Sequence, residues 1–313
     1  MSYLLPSEVA ELACNISHKK VGLSIGQLVV LGVLAGAYVG FGANLATVVA
    51  NDAAKYVGAG ITQLLFGAVF SVGLMLVVIG GAELFTGNNM YLMIGTLNGS
   101  CTWGDLGRNW VVVWIANLVG SLLLVSLLVI SYYGTLAPDT AALGLFKGAV
   151  GAKALLIAKG KLELSWASVF ARAILCNWLV CLAIWLALAS QEVAGKILAI
   201  FFPIMAFVAC GFEHSVANMF FIPMGLAVAH FPAIVDLAAH SVLTTQQAAL
   251  LAGGNTLPTD AVAAIAQFRA SLPGLFTWQH FLLGNLLPVT LGNIVGGSLL
   301  VGTLYWYSYQ RKG

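Results

Sequence analysis

Gly211-Phe212-Glu213-His214-Ser215-Val216-Ala217-Asn218 sets a carboxylate beside an imidazole within an apolar run that extends from Lys196 to about His230. A charged side chain at a bilayer centre costs about 2.5–3.5 kcal/mol even on lenient insertion scales. Such a pair therefore marks either a functional site or a core histidine that ties helices together. A second stretch, Gly81-Ala82-Glu83-Leu84-Phe85-Thr86-Gly87-Asn88, repeats Gly, Glu and Asn at its first, third and eighth places without a gap. It interrupts an apolar run from Val57 to about Gly99, roughly twice the ~20 residues that one span needs. Two full spans joined by a tight polar turn would also fit that length. Irregular backbone at membrane depth survives only where it is buried in protein or lines a cavity, so glycines and a carboxylate mid-run predict a broken helix in each place.

Composition agrees with a membrane setting. Of 313 residues 60% are hydrophobic and 8% charged, against the ~25% charged of soluble domains, and the mean hydropathy is +0.97. A net charge of +2 from scattered basic residues argues against a nucleic-acid partner. The five cysteines, Cys14, Cys101, Cys176, Cys181 and Cys210, have neither CxxC nor Cys/His spacing, and no disulfide framework, metal site or cofactor is implied. Residues 1–20 carry acidic Glu8 and Glu11 before Lys19 and Lys20, the wrong order for a signal peptide. Val9, Leu12, Ala13 and Ile16 recur at helical spacing there and predict a short amphipathic helix at the membrane surface.

From residue 21 onward the pattern predicts one transmembrane domain reaching residue 313. Leu23 to Val49 is the first span, with Gly32, Gly36 and Gly40 at a spacing that lets helix backbones approach closely. Trp103 to Arg108 reads as a polar loop, Trp110 to Ser131 as a span, and residues 132–163 as an extramembrane segment bearing four lysines. Trp166 to Ala189 and Phe281 to Tyr305 are further spans, the last closed by an aromatic belt and a basic tail. Residues 230–279, punctuated by Pro232, Gly253-Gly254, Pro258 and Pro273, read as a surface loop with one or two short helices.

A second echo, Asn117-Leu118-Val119-Gly120 against Asn293-Ile294-Val295-Gly296, falls in the third span of each half. The expected fold is thus an all-α membrane protein of six transmembrane spans, an inverted 3+3 repeat with halves at about 21–133 and 164–307. In such repeats the broken helices meet at a midplane site. With six spans both termini share one side with Lys19, Lys20, Arg108, Lys196, Arg311 and Lys312. Lys55, Lys147, Lys153, Lys159, Lys161 and Arg269 fall opposite, so the positive-inside rule is balanced. Charges close to the span ends favour cytoplasmic termini in a cell membrane.

Glu83-Leu84-Phe85-Thr86-Gly87-Asn88, Gly211 to Met219, and Asn285-Leu286-Leu287-Pro288-Val289-Thr290-Leu291-Gly292-Asn293 resemble, in order, the signatures of the formate/nitrite transporter family. The resemblance implies an aquaporin-like fold assembled as a homopentamer in the lipid bilayer, one pore per protomer. It implies that His214 is the central pore histidine, Thr86 the threonine facing it, Asn293 a pore asparagine nearby and Glu213 the acidic neighbour of the histidine. Phe70, Leu74, Val180 and Phe207 would form two apolar constrictions, with Asn177 and Lys161 at a vestibule that attracts anions. The run Asn218 to Gly225 is closest to the formate branch, with nitrite, hydrosulfide and lactate as alternatives. An intramembrane acid-base enzyme is the rival class, although no HExxH is present and no second histidine lies inside a span.

A broken helix has a direct signature. Single cysteines on both sides of Thr86 should react with water-borne thiol reagents, whereas two ordinary spans would leave those positions inert.

Overall fold

The computed structural model describes residues 3–134 and 143–311. The described residues are helical throughout, with no strand among them. Helix α1 (Pro6–Val21) starts on Pro6, whose missing N–H is no loss in a first helical turn. Among the later helices that start on capping side chains are α2 (Ile25–Val49) on Ser24, α6 (Trp103–Tyr133) on Thr102 and α8 (Trp166–Ala189) on Ser165. Between α2 and α6 lie α3 (Ala54–Phe70), α4 (Val72–Gly80) and α5 (Phe85–Leu97). Helix α7 (Ala149–Leu162) precedes α8, which is followed by α9 (Val193–Ala209) and α10 (Ser215–Val228). Then come α11 (Pro232–Ala239), α12 (Thr245–Ala252), α13 (Thr259–Leu275) and α14 (His280–Tyr309). Helix α14 alternates α-helical with π-helical segments.

Both sequence breaks are structural breaks. Gly81 ends α4 at φ 81° and Gly211 follows α9 at φ 69°, a left-handed conformation that penalises a Cβ. The next three residues are non-helical, ending extended at Leu84 and His214 before α5 and α10, so each half carries a helix, an irregular linker and a second helix. Among the described residues five helices are long and apolar enough to cross a membrane: Ile25–Val49, Ala54–Gly80, Trp103–Tyr133, Trp166–Ala189 and His280–Tyr309. A further pair, Ser215–Val228 with Pro232–Val242, passes the same test but is bent by 107°.

The small residues set how closely the spans pack. A Cβ on Gly120 would lie 1.9 Å from the Val33 carbonyl oxygen, and one on Gly36 2.0 Å from that of Asn117. The second half repeats this contact, since a Cβ on Gly296 would lie 2.2 Å from the Ile174 carbonyl oxygen. Helix α6 therefore sits on α2 as α14 sits on α8, and the Asn-x-x-Gly echo is a packing motif used twice.

Two readings from the sequence are corrected. Trp103 to Arg108 is not a loop but the start of α6, because the Thr102–Asp105 capping box turns the polar residues into a helix start. The segment 230–279 holds three α-helices, and α11 buries Ile234, Ala238 and Ala239 against α7 rather than lying loose on the surface. Within the lysine-bearing segment before Trp166, the apolar face of α7 buries Val150, Leu155 and Leu162. The segment's residues 135–142 lie outside the described residues. Helix α1 is amphipathic as expected, but it buries Val9, Ala10 and Ala13 against protein, chiefly α5.

Gly120→Ala should destabilise the protein by about 1–3 kcal/mol through overpacking. Gly107→Ala, with no atom within 4 Å of the added Cβ, should be neutral or gain about 0.5–1 kcal/mol. Thermal melting in detergent separates the two.

Candidate functional site

Each irregular linker exposes backbone groups that lipid could not satisfy, and one asparagine clasps each, Asn117 from α6 and Asn293 from α14. Asn117 accepts from Phe85 N–H (3.0 Å) and donates to the Gly32 and Glu83 carbonyls (2.8 and 2.9 Å). Asn293 accepts from Ser215 N–H (2.8 Å) and donates to the Ala173 and Glu213 carbonyls (2.8 and 3.0 Å). A carboxamide suits this task because it is donor and acceptor at once, with no charge to desolvate.

The two carboxylates are held in equally matched surroundings. Glu83 receives Lys20 Nζ at 2.6 Å and Asn88 Nδ2 at 2.8 Å. Glu213 receives Lys161 Nζ at 2.9 Å and Asn218 Nδ2 at 2.6 Å. Behind them Asn88 donates to Asn109, and Asn218 to Asn285. Each lysine also rides over an aromatic ring, Lys20 over Tyr91 at 5.3 Å and Lys161 over Phe221 at 5.5 Å. Both carboxylates are nearly fully buried, a situation tolerable only for a paired and hydrogen-bonded charge. Helices α1 and α7, which supply the lysines, are thus equivalent members of the repeat.

The halves differ where the chemistry lies. Leu84 follows Glu83, whereas His214 follows Glu213. His214 caps α10: its Nδ1 accepts the Ala217 N–H at 3.1 Å. In the neutral ring Nε2 then carries the proton, and it lies 2.9 Å from Thr86 Oγ1 of the other half's broken helix. Thr86 is itself fixed through its carbonyl by Asn177, which also bonds Asn89 and the Asn293 carbonyl.

Two cavities meet at this histidine, and a third lies on the far side of Leu84. A vestibule of about 250 Å³ on the α7 side is lined by Lys153, Lys161, Arg172, Glu213 and His214, with Phe70 and Phe207 at its floor. A chamber of about 10 Å³ follows, walled by Val39, Phe70, Leu74, Leu84, Val180, Ile204, Phe207 and His214. Leu84 also lines a vestibule of about 170 Å³ on the α1 side, which holds Lys20 and Glu83. The chamber is about one water in size, so no ion crosses it with its hydration shell.

The expected residues therefore separate into two groups. Phe70, Leu74, Val180, Phe207 and His214 surround the chamber, and Lys161 and Glu213 lie in a vestibule. Thr86 touches the pathway through His214, while Asn293 serves backbone rather than the histidine ring. Asn177, expected at a vestibule, is instead fully buried among main-chain acceptors behind the chamber, since its short side chain is consumed by α5 and α14. Lys161 is not a free cation but Glu213's partner. Lys20 was read only as part of a surface helix, yet it and Lys161 each stand just before the first residue of a repeat half, a signal the sequence carried. Burial holds the Lys153 ammonium below the usual lysine range. Among the described residues no His, Cys, Asp or Glu cluster could hold a metal, and the five cysteines are free.

Apolar spans, two irregular linkers each clasped by an asparagine, and two vestibules that share wall residues with a one-water chamber between them mark a multi-pass membrane protein with a candidate transport pathway. The family model described as Formate/nitrite transporter matches residues 7–307, and the chain belongs to that family. A probable formate transporter of Methanothermobacter thermautotrophicus is 43% identical over 317 residues, covering 99% of each chain. The formate channel FocA of Escherichia coli strain K12 is 32% identical over 309 residues, covering 99% of this chain and 95% of that one. A solved pentameric formate channel with formate bound is 32% identical with a TM-score of 0.69, over 92% of this chain and 98% of the other. The family consists of channels and transporters rather than enzymes, which removes the acid-base enzyme from consideration.

Asn293→Asp keeps the acceptor for Ser215 N–H but loses both donors, orphaning two buried carbonyls. A loss of about 1–3 kcal/mol per orphaned group is expected, seen as a lower melting temperature in detergent, with Asn117→Asp matching it in the other half. An unchanged melting temperature in both would refute the clasp.

Proposed function

We propose that this protein passes small monovalent anions, formate foremost, across a cell membrane, with His214 coupling the passage to protons. The reading adds an aquaporin-like arrangement of six crossings, a homopentamer with one pore per protomer, and cytoplasmic termini. Residues 21–313 act as one channel domain on which the helix within residues 1–20 is docked. The relatives named formate transporters and channels support the substrate, and the neighbour with formate bound supports the pentamer.

The observation that carries the reading is the Thr86–His214 hydrogen bond beside a chamber too small for a hydrated ion. A bare carboxylate in an apolar constriction costs far more than transport can supply unless it is paired or protonated. As it sheds water its affinity for a proton rises. An anion oxygen reaching His214 takes the place of Thr86 Oγ1 as acceptor from Nε2–H. A proton arriving from solution at Nδ1, at the expense of the Ala217 cap bond, makes the ring an imidazolium, whose Nε2–H then passes to the anion to give the neutral acid and a neutral ring protonated at Nδ1. The ring then returns to its starting tautomer, and Leu74, Leu84 and Phe207 meet only a neutral molecule. Glu83 and Glu213, each already paired with a lysine, serve the linkers rather than the proton.

Formate uptake into proteoliposomes should rise as the external pH falls, and His214→Phe should abolish that dependence. Wild-type pH behaviour in the variant would exclude the proton role. Nitrite, hydrosulfide and lactate in the same assay rank the permeants.

A further inference from the structure

The two vestibules match in fold but not in charge. The α1-side vestibule is lined by one cation and one carboxylate, Lys20 and Glu83, which pair with each other. The α7-side vestibule holds the corresponding pair, Lys161 and Glu213, together with Lys153 and Arg172. Lys153 stands two turns before Lys161 on the same face of α7, and Gly160 between them leaves the wall open. Among the described residues no carboxylate pairs with Lys153. Arg172 donates to the Gly211 carbonyl at 3.1 Å through one nitrogen, and no carboxylate pairs with it among the described residues. The position corresponding to Arg172 in the first half is Leu31: the Leu31 carbonyl accepts Glu83 N–H as the Arg172 carbonyl accepts Glu213 N–H. The extra cations are therefore additions to one half of the repeat and not part of the scaffold common to both.

We propose that Lys153 and Arg172 form an outer capture subsite for small monovalent anions such as carboxylates, present only in the α7-side vestibule, so that the pore loads at lower concentration from that side. The inference rests on the anion-passing reading above and assigns it a sidedness. Two unpaired cations on a narrow, low-dielectric wall concentrate anions at the mouth, and the paired Lys161 hands them on to His214. Lys153 is partly buried, and its ammonium sits below the usual lysine range because of that burial. An arriving anion restores what burial has taken from it, which favours occupancy by a single monovalent charge. The α1-side vestibule, with its cation and carboxylate already satisfied, offers no such exchange.

The test is the flux of labelled formate through the full-length protein in proteoliposomes of known orientation, with formate added to one face at a time. The half-saturating concentration should be about threefold or more lower from the α7 face, and the difference should shrink in ~0.5 M impermeant salt. Lys153→Gln should raise the α7-face value about threefold while leaving the α1-face value and the maximal flux unchanged, and Lys153→Arg should restore it. Equal values from both faces in the wild type, or a Lys153→Gln shift of both faces alike, overturns the proposal. A second readout needs no transport. Ile157→Cys and Ala82→Cys place thiols in the α7-side and α1-side vestibules, and the ratio of labelling rates by anionic and cationic methanethiosulfonates reports local charge. That ratio should be several-fold higher at position 157 than at 82, and should fall when Lys153→Gln is added. Equal ratios overturn the subsite whatever the permeant. Absent formate flux with the ratio intact refutes formate as the substrate and leaves the capture site standing.

Discussion

Irregular backbone inside an apolar slab must find its hydrogen bonds within the protein, and the architecture follows from how that demand is met twice. Asn117 and Asn293 each satisfy one N–H and two carbonyls around a linker, and each stands three residues before a glycine that lets its helix touch the neighbouring span. Close approach and clasp depend on each other. A side chain at Gly120 or Gly296 would push the helix away and take the carboxamide out of reach. The buried Glu83 and Glu213 belong to the same construction: each is fixed by a lysine and an asparagine, so the carboxylates at the linkers are compensated locally.

On that symmetrical frame, a few asymmetric positions make the site. Leu84 and His214 occupy the same place in the two linkers and face the same chamber, one apolar and one able to exchange a proton. Thr86 gives the histidine a partner across the repeat interface, and Asn177 secures Thr86 from behind, where the first half has Gly36 packed against Asn117. The histidine is held at both nitrogens, by a helix cap and by a hydroxyl, so its orientation and tautomer are set before any substrate arrives. Duplication thus supplied a pathway with two equivalent mouths, and substitution within it supplied the chemistry and the unequal charge of the vestibules.

Much of this was legible because the repeat is written in residue types that have few other uses in lipid. The Gly-x-Glu and Asn-x-x-Gly echoes located both breaks, both clasps and the histidine. Polar side chains in the first turn of α6 misled, since capping chemistry and loop chemistry use the same residues. The three helices between 230 and 279 were under-read because alanine-rich segments broken by proline and glycine give a weak period. Asn177 and Lys161 could not be given correct surroundings from the chain alone. A buried structural asparagine and an exposed polar one are the same letter, and whether a lysine is free depends on a carboxylate 52 residues away.

The sequence by itself determined that this chain lives in a membrane, that two of its apolar segments are broken, and that one break carries a histidine where the other carries leucine. Those facts follow from composition, length and local conformational preference, which need no knowledge of what touches what. Tertiary structure alone decided that a one-water chamber lies between two vestibules, that Lys20 and Lys161 are counterparts, and that Lys153 and Arg172 are left over. Each of these is a pairing between residues far apart in the chain, and only the packing of one half against the other fixes such distances.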